Sequence, residues 1–336
     1  MSEVSKRIPE IDMLRGIAAT LMILGHSFIV YPVDISNVPW CSAIGHFIYT
    51  FHMELFFVLA GVVYHCREYG SYIKKKIQRI LIPYLFFGII SMLLHAFGGG
   101  LVNGNESIGN GIAKMIFQGG SYWFLYVLFI IFAIFPWIER GVKDKRGWLF
   151  LTIALLLLSS VVDLPNIFSL QAVVRYLPYF ILGHCFREIV RGGYHNKRSR
   201  TIQAFVSFLL YLILNMMEKS GVIEFGVILS YIRAISIIIF LYIVTLELRP
   251  YWDKNRFMAV LCGFLNDCSK FSLQLYLFNG YLLAAIRIVM CRVLHITSPI
   301  WLVLTIWIGN LAITIISCKW IIPRIPIIRN MCGIGK

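Results

Sequence analysis

The chain has 336 residues, of which 59% are hydrophobic and 14% are charged, and its mean hydropathy is +0.78. Soluble domains carry about 25% charged residues, so this composition excludes a single water-soluble core and makes lipid part of the solvent. The net charge of +15 would suit nucleic acid, but basic residues of membrane proteins gather in cytoplasmic loops, and we expect no nucleic-acid partner.

Ten apolar runs approach the roughly 20 residues that a membrane-spanning helix needs. In chain order they are residues 11–30, 44–65, 79–97, 122–138, 148–162, 169–188, 201–217, 227–248, 271–291 and 299–318. They predict an all-α integral membrane protein, a bundle of about ten transmembrane helices with both termini cytoplasmic. One membrane domain then covers residues 1–336 without an appended soluble domain. The first run lacks a small-residue cleavage site and should stay in the mature protein.

The distribution of basic residues supports this topology. With the N-terminus inside, 24 of the 31 Lys and Arg residues fall in cytoplasmic segments, as the positive-inside rule requires. The outside loops hold Lys114, Lys219 and Arg292, and the spans hold Arg15, Arg175, Arg233 and Arg287. Residues 98–111, rich in Gly and Asn, are predicted to form an outside loop, and residues 257–265 an interfacial or re-entrant piece.

The first span has the highest density of ionisable groups, which are costly inside a bilayer and therefore candidates for function. Asp12 and Arg15 are three residues apart, so they are helix neighbours that can neutralise each other. Arg15 and His26 are eleven apart, about three turns, and so share one helix face with an axial separation of about 16 Å. Histidine is the side chain whose ordinary pKa lies nearest to neutral pH, so His26 is the best candidate for a general base. A membrane histidine can equally hydrogen-bond a neighbouring helix.

The second span carries His52 and Glu54, which are two residues apart and cannot share a face of a regular helix. Lys76 and Arg79 lie three apart at the cytosolic mouth of the third span and can hold phosphates by charge-assisted hydrogen bonds. The same two residues also suit a positive-inside anchor or a contact with anionic lipid. The eight cysteines lack zinc-ligand spacing, and we expect no metal.

Together these segments resemble acyltransferase family 3. The run IDMLRGIA at 11–18 with Gly25-His26 is similar to the family signature, an arginine and a histidine separated by ten residues. The run FHMELFF at 51–57 resembles its second-span motif, and Lys76 with Arg79 resembles its arginine pair. Residues 123–125 and the segment around Gly183 also match, and the likeness extends over nearly the whole chain. Within the family, the chain resembles standalone, fucose O-acetylase-like members.

The chain departs from the family pattern at three positions. Glu54 stands where proline is common, Lys76 replaces the first arginine of the pair, and Asn279 stands where histidine is frequent. The role of that histidine is therefore not carried over to this chain.

The resemblance implies an acyl-CoA donor, most simply acetyl-CoA, that enters from the cytoplasm, and a hydroxyl acceptor on a cell-envelope glycan. It implies that His26 acts as general base, that Arg15 oriented by Asp12 stabilises charge on the donor or binds it, and that Lys76 and Arg79 hold CoA phosphates. We assign substrate binding to His52, Glu54, Trp123 and Tyr276. The expected location is the inner membrane of a bacterium, with membrane lipid and a second copy of the chain as further partners.

The main alternative is a multi-pass transporter or exporter of a solute or glycan precursor, which the arginines within spans would suit. Neither an inverted repeat nor a pair of broken spans is visible in the sequence. A small-molecule sensor, or a membrane domain that supports a partner enzyme, stays open as well. Succinyl transfer competes with acetyl transfer.

Overall fold

The computed structural model describes residues 8–97, 107–165, 167–192, 197–221 and 226–334, and this part of the chain is helical without any β-strand. The first α-helices are α1 (Pro9–His26), α2 (Pro39–Tyr49), α3 (His52–Val62), α4 (Tyr69–Lys76), α5 (Ile82–Phe97), α6 (Ile108–Gln118), α7 (Trp123–Gly141) and α8 (Lys145–Val161). The remaining ones are α9 (Leu170–Gly192), α10 (Lys197–Ser220), α11 (Val227–Leu248), α12 (Arg256–Lys270), α13 (Ser272–Ile288), α14 (Pro299–Ile316) and α15 (Pro326–Met331). Five-residue π-helical segments follow α4, α13 and α14, at Ile77–Leu81, Val289–Val293 and Ser317–Ile321.

Several helices begin where a short polar side chain satisfies a free backbone N–H group. The side-chain oxygens of Ser107, Asp144 and Asn255 accept hydrogen bonds from N–H groups three residues later, at 3.3, 2.9 and 2.9 Å, and so cap α6, α8 and α12. Helix α6 takes up residues 108–111 of the predicted outside loop, while residues 98–106 lie outside the described part. The predicted interfacial piece 257–265 lies within α12.

Seven helical stretches of the described chain are long and apolar enough to cross a membrane, so this is a multi-pass membrane protein. They are Pro39–Val62, Tyr69–Phe97, Ile108–Gly141, Lys197–Ser220, Val227–Tyr251, Ser272–Val293 and Pro299–Arg324. Helices also occupy the first, fifth and sixth predicted spans. Of these, α1 carries three charged residues, α8 has 17 residues, and α9 holds four charged residues. The count of ten and the cytoplasmic termini stay predictions.

The second predicted span is broken into two helices. Helix α2 ends at Tyr49, α3 begins at His52, and Phe51 between them has φ −155° and ψ −15°. The hydroxyl group of Thr50 donates to the carbonyl of Phe47 and lies 3.2 Å from the hydroxyl group of Tyr211 on α10. The Thr50 hydroxyl group therefore gives hydrogen-bond partners to polar groups that the break would otherwise leave unpaired in apolar surroundings.

The chain forms two compact units. The first unit comprises Met1–Met22, His46–Val63 and Tyr179–Ser272. The second unit comprises Ile23–Gly45, Tyr64–Pro178 and Leu273–Lys336.

In the first unit, α10 and α11 form an antiparallel pair with a side-chain ion pair near each end. Arg200 near the start of α10 contacts Glu247 near the end of α11 at 2.6 Å, and Glu218 near the end of α10 is bonded to Arg233 on α11. At the Glu247 end, Arg249 also contacts Glu10 of α1 at 2.5 Å. The start of α1 therefore lies beside the start of α10 and the end of α11.

Glycines bring other helices of the first unit into close contact. A Cβ atom on Gly61 of α3 would lie 2.1 Å from the carbonyl oxygen of Phe180, and one on Gly183 of α9 would lie 2.0 Å from that of Val58. The same holds for Gly16 of α1, where a Cβ atom would lie 2.1 Å from the carbonyl oxygen of Leu265. Small residues at such crossings let helix backbones approach where burial of apolar surface gives little drive.

In the second unit, tyrosine hydroxyl groups bond to backbone carbonyls of neighbouring helices. Tyr122 donates to the carbonyl of Leu277 on α13 at 2.8 Å, and Tyr281 of α13 donates to that of Phe87 on α5 at 2.8 Å. These bonds connect α5 and the start of α7 with α13, so the position of one helix is fixed by the backbone of another.

Candidate functional site

Helix α1 is continuous over the residues that carry the predicted chemistry. It begins at Pro9, where the missing N–H group costs nothing, and has Glu10 and Asp12 in the first turn, where the helix dipole favours negative charge. Arg15 Nη1 lies 3.3 Å from Asp12 Oδ1, so the predicted ion pair is present. His26 is the last residue of the helix, and its side chain is exposed. Asp12 and Arg15 belong to the first unit and His26 to the second.

His52 and Glu54 are both buried, at 3% and 9% exposure, in the first unit. Nδ1 of His52 lies 2.9 Å from the carbonyl oxygen of Ile48, across the break between α2 and α3. A carbonyl oxygen only accepts, so Nδ1 carries the hydrogen and Nε2 keeps its lone pair. His52 therefore forms a hydrogen bond that connects α3 to the end of α2 across the break. Its sequence position did not indicate this structural role.

Lys76 and Arg79 lie at a change of helix type in the second unit. The π-helical segment Ile77–Leu81 begins directly after Lys76 and contains Arg79, and such widened turns are frequent at functional sites. The Lys76 ammonium lies 3.5 Å from the centre of the Phe132 ring and 5.3 Å from that of Tyr72, whereas Arg79 is exposed. The lysine is thus held by aromatic rings and the arginine is accessible to an anion.

The C-terminal segment packs against the same π-helical turn. A Cβ atom on Gly333, which has φ +70°, would lie 2.9 Å from the carbonyl oxygen of Arg79. Gln274 donates to the carbonyl of Cys332 at 2.7 Å, which fixes this segment to the start of α13. Burial raises the pKa of the Cys332 thiol to about 11, so it stays neutral there. Sequence reasoning assigned no role to these residues.

Trp123 and Tyr276 both contact the aromatic cluster at the start of α7. The Tyr276 ring lies 5.7 Å from that of Tyr122 and 5.5 Å from that of Phe124. Trp123 lies between these two in sequence, and its ring is 5.5 Å from that of Tyr176 on α9. The structure thus brings Tyr276 to the residues that flank Trp123.

Two cavities of similar size lie within the units. The apolar cavity of the first unit, about 480 Å³, is formed by α1, α3, α9, α10 and α11 and is lined mainly by Ile, Leu and Val. The polar cavity of the second unit, about 460 Å³, is formed by α5, α6 and the turn before α7. Its side chains include His95, Lys114, Gln118, Ser121 and Trp123. Of these, sequence reasoning selected Trp123 alone, because His95 and Lys114 come together only through the packing of α5 on α6.

Three polar groups that looked isolated in the sequence have partners. Arg233 is bonded to Glu218, and the Arg287 guanidinium lies 5.5 Å from the centre of the Tyr31 ring. Asn279 Oδ1 accepts from Asn310 Nδ2 at 2.9 Å, which links α13 to α14. These contacts give each residue a structural task. Within the described residues no group of three or more His, Cys, Asp or Glu side chains could hold a metal ion.

A family model described as an acyltransferase domain matches residues 8–319. The chain belongs to acyltransferase family 3. The match includes every residue of the predicted site, from Asp12 to Tyr276.

Two relatives are similar to this chain at low identity. Nodulation protein NolL of Mesorhizobium japonicum is 23% identical over 193 residues, which is 55% of this chain and 48% of that protein. Nodulation protein NolL of Sinorhizobium fredii is 25% identical over 196 residues, 53% of this chain and 48% of that protein. These matches span about half the length of each relative. No solved structure matches this acyltransferase family member.

Proposed function

We propose that this chain is a membrane-bound O-acyltransferase that moves an acyl group, most simply acetyl, from cytoplasmic acyl-CoA to a hydroxyl of a cell-envelope glycan or similar acceptor in a bacterial inner membrane. The observation that carries the proposal is the continuous helix α1, which lies within the family match and bears the Asp12–Arg15 ion pair and an accessible His26.

The proposed reaction is a direct transfer with His26 as base. Its imidazole removes the proton of the acceptor hydroxyl while the oxygen attacks the thioester carbonyl. The carbon–sulfur bond then breaks, and the CoA thiolate takes up the proton from the imidazolium. Arg15, oriented by Asp12 and about 16 Å from His26 along the helix, stabilises charge on the donor away from the reacting carbonyl or helps to bind the donor. The overall result is one ester formed and one thioester consumed.

Lys76 and Arg79 are proposed to bind the CoA phosphates. The proposal is supported by the exposed Arg79 side chain and by the π-helical turn that presents it. The Lys76 ammonium packs against the Phe132 ring, which restricts its position. Lys76 lies three residues before Arg79, so the two cations are close together in the chain. His52 and Glu54, both buried in the first unit, and Trp123 and Tyr276 in the second unit are each proposed as substrate-binding residues.

The role of His26 is tested with His26→Ala, purified in nanodiscs and assayed for acyl-CoA consumption with glycan acceptors. We expect turnover to fall about 1,000-fold, since general-base catalysis contributes 10² to 10⁴, while calorimetric CoA affinity is retained. His295→Asn is the matched control, because His295 is exposed and has φ +52°, which Asn tolerates. Full turnover by His26→Ala would remove the base assignment. Failure of folded wild type to bind CoA would favour the transporter instead.

The donor site is tested with Arg79→Ala and Lys76→Ala. Lys75→Ala is the control, because the Lys75 side chain is exposed next to Lys76 on α4. We expect the KM for acyl-CoA to rise about tenfold in the first two and to stay constant in the third, since a hydrogen bond to a charged group is worth about 1.5–3 kcal/mol. If all three variants share the wild-type KM, the two residues are membrane anchors.

A further inference from the structure

The polar cavity of the second unit is built by packing between α5 and α6. A Cβ atom on Gly111 of α6 would lie 2.5 Å from Cγ of Met92, and one on Gly88 of α5 would lie 3.0 Å from Sδ of Met115. The two helices therefore approach closely at these glycines, and the cavity opens beside the contact. Its volume, about 460 Å³, is within the range of small-molecule sites.

The turn between α6 and α7 forms another wall. Gly119 and Gly120 have φ +78° and +53°, a conformation that L side chains rarely adopt. The hydroxyl group of Tyr126 donates to the carbonyl of Ile116 at 2.5 Å, and that of Tyr84 donates to the carbonyl of Met115. The carbonyls of Met115 and Ile116 near the end of α6 are thus occupied, and side chains supply polar groups to the cavity.

His95 presents a hydrogen-bond acceptor with a fixed tautomer. Its Nδ1 lies 2.8 Å from the backbone carbonyl oxygen of Ser91. Because a carbonyl cannot donate, Nδ1 carries the hydrogen in the neutral ring and Nε2 carries the lone pair. The side chain of Ser91 lies 3.0 Å from that of Ser121, which joins α5 to the turn on the opposite wall.

The remaining lining groups supply donors and an aromatic face. Lys114 brings an ammonium group with three donors, and Gln118 brings an amide that both donates and accepts. Trp123, half-buried, offers an indole ring whose other contacts include Tyr176. Acceptor, cation, amide and aromatic ring around one cavity match a ligand with several hydroxyl groups and an apolar C–H face.

We propose that the polar cavity binds a saccharide unit of the acceptor, an inference that rests on the proposed function. A hydroxyl of the sugar donates to His95 Nε2, Lys114 and Gln118 bond to further oxygens, and Trp123 contacts the ring face. Arg79 lies in the π-helical segment just before α5, and His95 lies 13 residues beyond Ile82 at the start of α5, about 20 Å at 1.5 Å per residue. With Lys114 among the predicted outside residues, the saccharide enters from the side opposite to the CoA phosphates.

The test is direct binding by the full chain in nanodiscs. Methyl glucoside, methyl fucoside and methyl glucuronide are titrated by calorimetry against wild type, Lys114→Ala, Gln118→Ala and Lys219→Ala. Lys114, Gln118 and Lys219 are all exposed, so these changes should not unfold the protein. We expect at least one glycoside to bind the wild type, with about tenfold weaker affinity in the first two variants and unchanged affinity in Lys219→Ala.

Three results are distinguishable. Equal affinities in all four proteins would place the saccharide elsewhere and overturn the proposal, as would the absence of glycoside binding by a wild type that binds CoA. Glycoside binding that depends on Lys114, in a protein that does not bind CoA, would support the cavity and overturn the acyl-transfer proposal.

Discussion

The apolar and polar cavities differ by about 20 Å³ in volume, and polar side chains make up a much larger share of the lining in the second. The apolar cavity is bounded by five helices whose apolar faces meet, and ion pairs such as Glu10–Arg249 lie at the helix ends beside it. The polar cavity is bounded by two helices and a glycine turn, and polar side chains reach into it. Regular helix packing in this chain therefore produces an apolar space, and an irregular connection produces a polar one.

The walls of the cavities are also held differently. In the first unit the α3–α9 crossing depends on shape, since Gly61 and Gly183 each face a backbone carbonyl. In the second unit the end of α6 depends on hydrogen bonds from Tyr84 and Tyr126. One added methyl group at the glycine crossing should therefore reduce stability more than the loss of one of these hydrogen bonds.

The sharpest test of the comparison introduces a carboxylate into each cavity. Ile238→Asp, at a buried position of the apolar cavity, should cost about 4 kcal/mol because burial is lost and a charge is placed in an apolar site. Gln118→Glu in the polar cavity should change stability by less than about 0.5 kcal/mol. Thermal unfolding in one detergent, followed with a thiol-reactive dye, measures both. Equal losses would break the distinction between the cavities.

The glycine crossing gives the next largest effect. Gly183→Ala should destabilise the first unit by about 3 kcal/mol, because the added Cβ would lie 2.0 Å from the Val58 carbonyl oxygen and the helices must separate. Gly263→Ala on α12 is the control, since a Cβ atom there meets nothing within 4 Å and Ala favours helix. The same unfolding assay should show a lower Tm for the first variant and an equal or higher one for the second. A Tm unchanged by Gly183→Ala would mean that the crossing is looser than described.

The smallest expected effect concerns the hydrogen-bonded wall. Tyr126→Phe should cost about 1 kcal/mol, since the Ile116 carbonyl loses its hydroxyl partner. Tyr251→Phe, at an exposed tyrosine of the first unit, should leave Tm unchanged. Hydrogen exchange of α6 adds a local readout, with faster exchange expected at its end in Tyr126→Phe. If both variants behave alike, shape and not hydrogen bonding also holds the polar cavity.

Sequence reasoning predicted most helices but missed the irregular parts. The first four residues of α6 were included in a predicted loop and the rest of the helix was not predicted, because the Gly and Asn residues before it dominate the composition. The break at Thr50 was not visible, since no proline or glycine marks it and its polar groups are satisfied by Tyr211, 161 residues away. Likewise, the sequence did not reveal that Glu218 pairs with Arg233, because this contact depends on the antiparallel packing of α10 on α11.

The sequence by itself predicted a helical membrane protein that resembles acyltransferase family 3, with Asp12, Arg15 and His26 on one helix. Hydropathy and the helical repeat are local properties, so they can be read without knowing the partners of each helix. The tertiary structure alone decided the tight crossing of α3 and α9, the exposed Arg79 beside an aromatic-bound Lys76, and the polar cavity around His95. These features depend on contacts between residues distant along the chain, for which local pattern carries no signal.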